Sequence, residues 1–217
     1  MATIKRFWIE PYLDVLTTTV ATVDADAVTL AETIFYAFSG GQESDQGTIA
    51  GIEVLEARKA GDDIIYRLPS RHGLETGEPV TVAIDWPRRY RLMRLHFAAE
   101  IVLELVYRQL RGAEKIGAHI AADKARIDFA WPESVTSLLP GLEEAANDIS
   151  RQDLPITSAF SDEASGRRYW EIAGFARVPC GGTHLRRSGE IGRIALKRRN
   201  IGKGKERIEV LLQADGG

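Results

Sequence analysis

Cysteine is almost missing from this 217-residue chain: Cys180 stands alone. An internal disulfide is therefore excluded, and a single thiol suits a reducing compartment. Long apolar runs are missing too, so no segment is expected to span a membrane. The first ten residues, Met1-Ala-Thr-Ile-Lys-Arg-Phe-Trp-Ile-Glu10, lack the apolar core and cleavage site of a signal peptide. These absences predict a cytoplasmic protein without a membrane partner. There is no internal repeat and no low-complexity linker. Nor is there a large excess of one charge: the net charge is −3, which on its face argues against nucleic acid as a partner. Hydrophobic residues at 44% and charged residues at 27% fit a packed globular protein rather than a disordered one. The length is enough for a substantial core or for two small domains.

The charge is unevenly spread. Arg186, Arg187, Arg193, Lys197, Arg198, Arg199, Lys203, Lys205 and Arg207 form a basic run opposed only by Glu190 and Glu206, and Arg88, Arg89, Arg91 and Arg94 form a second group. Such runs are either solvated surface or a field that steers a phosphate-rich substrate. Aromatic residues are sparse within both, so stacking on single-stranded bases is not expected.

Strand signals dominate the first 85 residues. Val15 to Val23 is rich in β-branched residues, Asp24-Ala-Asp26 supplies a turn, and Ala27 to Leu30 and Thr33 to Tyr36 resume extended structure. Ile49 to Glu56 and Asp63 to Arg67 flank a hairpin turn at Ala60-Gly61-Asp62, and Val80 to Ile84 follows. Many short strands separated by turn signals predict a small β-barrel over residues 1–86, with Gly40-Gly41-Gln42 in one of its loops.

Asp85 is placed to cap a helix that has Pro87 in its first turn and no breaker before Leu110. Leu92, Leu95, Ala99, Val102, Val106 and Leu110 repeat at helical spacing, with His96 and Glu100 along one edge of the stripe. Beyond it, His119 to Phe129 reads as extended chain around a turn, and Pro132 opens a helical region. Leu142 to about Asp153 reads as a second helix, and short strands follow at Ile156 to Phe160, Trp170 to Phe175, Ile191 to Arg199 and Arg207 to Leu212. The expected class is α+β: an N-terminal small β-barrel over residues 1–86, then residues 87–217 with helices packed on an antiparallel sheet.

Two pairs of residues carry metal-ligand chemistry. His96 and Glu100 are four apart on one helix face and can point at one ion. Cys180 and His184 are four apart across two glycines that suit an irregular loop. Thiolate, imidazole and carboxylate together favour Zn2+ over magnesium or calcium. The same residues also fit a plainer assignment: a small buried thiol, a core histidine and a carboxylate at a chance spacing.

The stretch Cys180-Gly-Gly-Thr-His184, continuing through Leu185-Arg-Arg-Ser-Gly-Glu190-Ile-Gly192, resembles the signature of the alanyl-tRNA synthetase editing domain and its free-standing AlaX trans-editing relatives. Thr33-Ile-Phe-Tyr-Ala-Phe-Ser-Gly40-Gly41-Gln42-Glu-Ser-Asp45-Gln-Gly47 is similar to that family's glycine-rich motif, with Ser39 at a usual glycine and Ala37 at a usual proline. Arg89-Tyr-Arg-Leu-Met-Arg94-Leu-His96 is similar to the entry of its metal-binding helix. The similarity runs in the family's order from about residue 30 onward. It departs at Glu100, where the family's HxxxH pattern has a second histidine.

The resemblance implies an editing domain over residues 87–217 and a zinc-dependent hydrolase that deacylates mischarged aminoacyl-tRNA in trans, with serine or glycine removed from alanine tRNA. It implies metal ligation by His96, Cys180 and His184. Glu100 is then either the fourth ligand or a general base, Gln42 handles the aminoacyl group, and Thr183 either lends its hydroxyl to catalysis or ties down the loop. Two other readings remain open at this level: a tRNA-binding module silenced by Glu100, and a zinc hydrolase of a small aminoacyl ester.

Overall fold

In the computed structural model, which describes residues 3–213, the β-branched N-terminal stretch folds as antiparallel strands. These are β1 (Val15–Asp24), β2 (Ala27–Leu30), β3 (Gly47–Ile49), β4 (Ile52–Glu53), β5 (Glu56–Ala60), β6 (Asp63–Arg67) and β7 (Pro79–Ile84). They form one curled sheet of order β4-β3-β7-β1-β2-β6-β5. Its end strands are β4 and β5. Period-two alternation sets the inner face: Val80, Val82 and Ile84 of β7 and Ile64 and Tyr66 of β6 are buried, and their neighbours turn outward. They join Val28, Leu30, Phe35 and Ile49 in a single apolar cluster. The expected strand at Thr33 to Tyr36 is only Glu32–Thr33, paired in parallel with Ile4–Lys5. Residues 34–38 carry no regular element because Asp45 and Ser44 take their amides instead, at Tyr36 and Phe38.

The chain divides into two compact units. One holds the chain up to Ser39 together with Glu43–Tyr90, and the other holds Gly40–Gln42 and the chain from Arg91 onward. The glycine-rich loop, expected to belong with the N-terminal strands, is thus grouped with the second unit. Gly41 shows the cause: it has φ +88°, and a Cβ there would sit 2.5 Å from the Ala118 carbonyl oxygen. Only glycine lets the loop approach that strand closely enough for Gln42 to bridge to Ile120 and for the Ile120 amide to donate to the Gly41 carbonyl.

Helix α1 spans Trp86–Gln109. Asp85 caps it, accepting from the Arg88 amide at 3.0 Å. The single apolar stripe expected of α1 understates its burial. Leu92, Met93, Leu95, Phe97, Ala98, Ile101 and Val102 are all buried, so α1 is a central element rather than a surface helix.

The second unit continues with β8 (Glu114–Ile120) and β9 (Ala125–Ala130), helix α2 (Leu139–Arg151), and β10 (Thr157–Asp162), β11 (Arg167–Ile172) and β12 (Ala176–Pro179). It ends with β13 (Ile194–Asn200) and β14 (Lys205–Leu212). A four-stranded antiparallel sheet has the order β8-β9-β14-β13, and a three-stranded one the order β10-β11-β12. Leu142, Ala146 and Ile149 of α2 are buried, and Asn147 exchanges two hydrogen bonds with the backbone of Ile194 at the start of β13. The helical region expected from Pro132 begins at Thr136. The strand expected at Trp170 to Phe175 is displaced towards the N-terminus, and a turn at Gly174 separates it from β12. No helix among the described residues is long and apolar enough to cross a membrane.

Candidate metal centre

Two backbone segments of the second unit bring the donor atoms together. Helix α1 carries His96 and Glu100 on one face. Cys180-Gly-Gly-Thr-His184 is a loop leaving β12, and Arg168 of β11 anchors it twice. The Cys180 amide donates to the Arg168 carbonyl at 2.9 Å, and the Arg168 guanidinium donates to the Gly182 carbonyl at 3.2 Å. Gly182 has to be glycine, because a Cβ there would lie 2.6 Å from His96 Cε1 and 2.7 Å from Nε2. The loop therefore presses its backbone against the first histidine and brings the cysteine and the second histidine close to it.

Cys180 Sγ lies 3.3 Å from His96 Nε2, and donor atoms of His96, Cys180 and His184 all fall within 4.8 Å of one another. Tetrahedral zinc with bonds of about 2.0–2.3 Å places neighbouring ligand atoms roughly 3.3–3.7 Å apart. The Cys180–His96 separation falls in that range, and the other donor separations stay within 4.8 Å. Two buried nitrogens, His96 Nδ1 and His184 Nε2, have no hydrogen-bond partner. A buried polar atom without a partner is unusual in a folded protein, and on His184 a metal bond at Nε2 would satisfy it.

The electrostatics agree with the donor set. Burial lowers the pKa of His96, with Lys115 adding to the effect and Glu100 opposing it. Burial puts His184 well below the usual histidine value, helped by His96 and Arg168. Both shifts favour the neutral ring that metal binding requires. Burial also pushes the Cys180 thiol up to about 12, reinforced by Glu100 and countered by the Gly182 amide, Arg168 and Lys115. Without a cation the thiol keeps its proton, which a bound metal would displace.

Glu100 flanks this set. Trp170 Nε1 donates to its Oε2 at 3.1 Å, while Oε1 lies 3.9 Å from His96 Nε2 and 4.0 Å from Cys180 Sγ. On the other side, Gln42 is fully buried and donates from Nε2 to Thr183 Oγ1 at 3.2 Å, leaving its Oε1 without a partner. Ser158 Oγ is 2.7 Å from His184 Nδ1. Sequence reasoning singled out His96, Glu100, Cys180, His184, Gln42 and Thr183. It missed Arg168, Trp170 and Ser158, which enter through strand register, and no spacing signal marks them.

The basic groups look different in three dimensions. Arg89 is fully buried, paired with Asp45 through two nitrogens and donating to the Ile34 carbonyl, and Arg88 pairs with Glu43 at 2.6 Å. Arg91 and Arg94 donate to the carbonyls of Ala122 and Ile191. Arg88 and Arg89 are thus taken up by carboxylates, whereas Arg91 stays exposed and keeps its charge. In the longer run Arg198 pairs with Glu206, Arg199 with Glu209, and Arg207 with Asp128. The exposed cations Lys203 and Lys205 lie in and just after the β13–β14 turn.

Residues 171–209 match the family described as the threonyl and alanyl tRNA synthetase second additional domain. The chain is 33% identical to the alanyl-tRNA editing protein AlaX-M of Pyrococcus horikoshii, over 96% of this chain and 97% of that protein. It is 34% identical to AlaX-M of Saccharolobus solfataricus, over 87% of this chain and 90% of that protein. Alanine–tRNA ligase of Methanococcus maripaludis strain C7 is 30% identical over 84% of this chain but only 23% of the ligase. With that identity over most of both chains, and with the histidine and cysteine signature brought together in space, the chain belongs to the AlaX-M family of alanyl-tRNA editing proteins.

Proposed function

We propose that this protein is a zinc-dependent hydrolase that deacylates mischarged alanine tRNA in trans, removing serine or glycine. Its family supports the hydrolase class. The observation that carries the metal reading is the convergence of His96, Cys180 and His184 beside a carboxylate held by Trp170. His96, Cys180 and His184 would hold the zinc, which would supply Lewis-acid polarisation and an acidified water.

The remaining roles fall to the chain itself. Trp170 occupies Glu100 Oε2 and leaves Oε1 facing the cluster, slightly beyond ligand spacing. Glu100 is therefore assigned as the general base: it takes a proton from water as the oxygen attacks the ester carbonyl. The bond to the ribose oxygen then breaks, and that oxygen takes up the proton. Gln42 Oε1 is a buried acceptor lacking a donor, which suits the α-ammonium group of an aminoacyl ester. Because Thr183 Oγ1 accepts from Gln42, its own proton is free to reach the substrate. Exposed Lys203 and Lys205 are assigned to tRNA phosphates. We further assign the N-terminal sheet, residues 1–86, as a domain that closes as a barrel, and residues 87–217 as the editing domain.

The direct test is turnover of serine-, glycine- and alanine-charged alanine tRNA by the full chain. Faster release of serine or glycine than of alanine is expected. Equal rates would remove the editing assignment, and tRNA binding without turnover would make the chain a binding module.

A further inference from the structure

We infer that Ser158 is a positioning residue that holds His184 as the Nδ1–H tautomer and so presents Nε2 to the metal. This inference rests on the zinc reading above. A neutral imidazole carries one proton, and a ring that binds through Nε2 must keep it on Nδ1. Ser158 Oγ, 2.7 Å from Nδ1, is placed to accept that proton, while Nε2 is buried and has no partner. His184 is 3% exposed whereas Ser158 is an exposed residue, so the contact ties a buried ring to the sheet surface.

The sheet register gives an independent reason to read the contact as built rather than incidental. Ser158 of β10 pairs directly with Trp170 of β11. Cross-strand partners point to the same face of a sheet. One partner bonds His184 and the other bonds Glu100, so a single rung of this ladder holds two of the groups around the cluster. His96 has no such support, since its Nδ1 lacks a partner, and its position comes from α1 and from the Gly182 backbone pressed against the ring. Outer partners of metal-bound histidines characteristically fix the tautomer and ring orientation.

The test uses the full chain as wild type, Ser158→Ala and Ser158→Thr. Zinc affinity is measured by competition with a chromophoric chelator, and the His184 tautomer is read by nitrogen NMR of the metal-free protein. Expected are the Nδ1–H tautomer in wild type, a loss of zinc affinity of about 10- to 100-fold in Ser158→Ala, recovery in Ser158→Thr, and the same metal-free melting temperature for all three. Zinc affinity within about twofold of wild type in Ser158→Ala, or an Nε2–H tautomer in wild type, would overturn the role of Ser158 alone. A wild-type chain that takes up no zinc would overturn the metal centre, and this inference with it.

Discussion

Each unit of the chain buries a polar cluster, and the two are satisfied differently. In the first, Arg89 and Asp45 are wholly enclosed, yet the guanidinium meets Asp45, Ile34 and Pro11, and the carboxylate also receives the Tyr36 amide. In the second, His96, His184 and Gln42 are just as enclosed, and each keeps one polar atom without a partner. A buried charge pair that is hydrogen-bonded throughout explains itself as structure. The open Gln42 Oε1 and His184 Nε2 point to something that fills them. Residue types alone do not separate these cases, whereas the completeness of the hydrogen bonding does.

The largest effect expected from this contrast is on the first cluster. Arg89→Ala strands the Asp45 carboxylate in the core and should destabilise the protein by about 3–5 kcal/mol in urea unfolding. A loss below about 1 kcal/mol would break the contrast, since the pair would then be dispensable. In the second cluster the cost should fall on chemistry instead. Glu100→Gln keeps an oxygen for Trp170 and should slow deacylation by about 10²- to 10⁴-fold with zinc content unchanged. Loss of zinc in that variant would make Glu100 a ligand rather than a base.

Smaller effects sharpen a second contrast, between cations that meet a carboxylate and the exposed lysines Lys203 and Lys205. Arg198 and Arg199 are engaged by Glu206 and Glu209, so reversing their charge should damage the β13–β14 hairpin and tRNA binding together. Lys203→Glu with Lys205→Glu should leave the fold intact and weaken tRNA binding. The slope of log affinity against log salt should fall by about 2, and hydrolysis of a small aminoacyl ester should be unaffected. An unchanged slope would place the phosphates elsewhere.

Acid should expose the paired set. The Arg198 hydrogen bond holds Glu206 below its ordinary value of 4.5, and Lys124 with Arg199 does the same for Glu209. With folded-state values depressed, the stabilisation is complete above the unfolded value and is lost as pH falls through the folded ones. Melting temperature of the metal-free protein should therefore decline below about pH 4.5, and less so in Glu206→Gln.

Local spacing made the site's first residues legible. His96 and Glu100 share a face because a helix dictates it, and the two glycines after Cys180 announced an irregular loop, though not that Gly182 would pack against the His96 ring. Gln42 was reachable through the glycine-rich stretch, although not its grouping with the second unit, which depends on Gly41 meeting Ala118. Ser158, Trp170 and Arg168 were out of reach because the pairing of β10, β11 and β12 is a tertiary outcome. The pairing of Arg88 and Arg89 was hidden for a related reason. A run of arginines looks basic in sequence whether or not buried carboxylates and carbonyls answer it. The single stripe assigned to α1 also fell short, since periodicity reports the most apolar face and not how many neighbours surround a helix.

The central claim is that hydrolysis depends on metal held by His96, Cys180 and His184. The most direct measurement strips the protein with chelator, returns zinc in known amounts, and follows deacylation of serine-charged alanine tRNA against bound zinc. Activity should vanish in the stripped protein and rise in proportion to zinc up to one ion per chain, with Cys180→Ser remaining inactive across the titration. Full activity in the stripped protein, or a Cys180→Ser variant that hydrolyses like wild type, would contradict it.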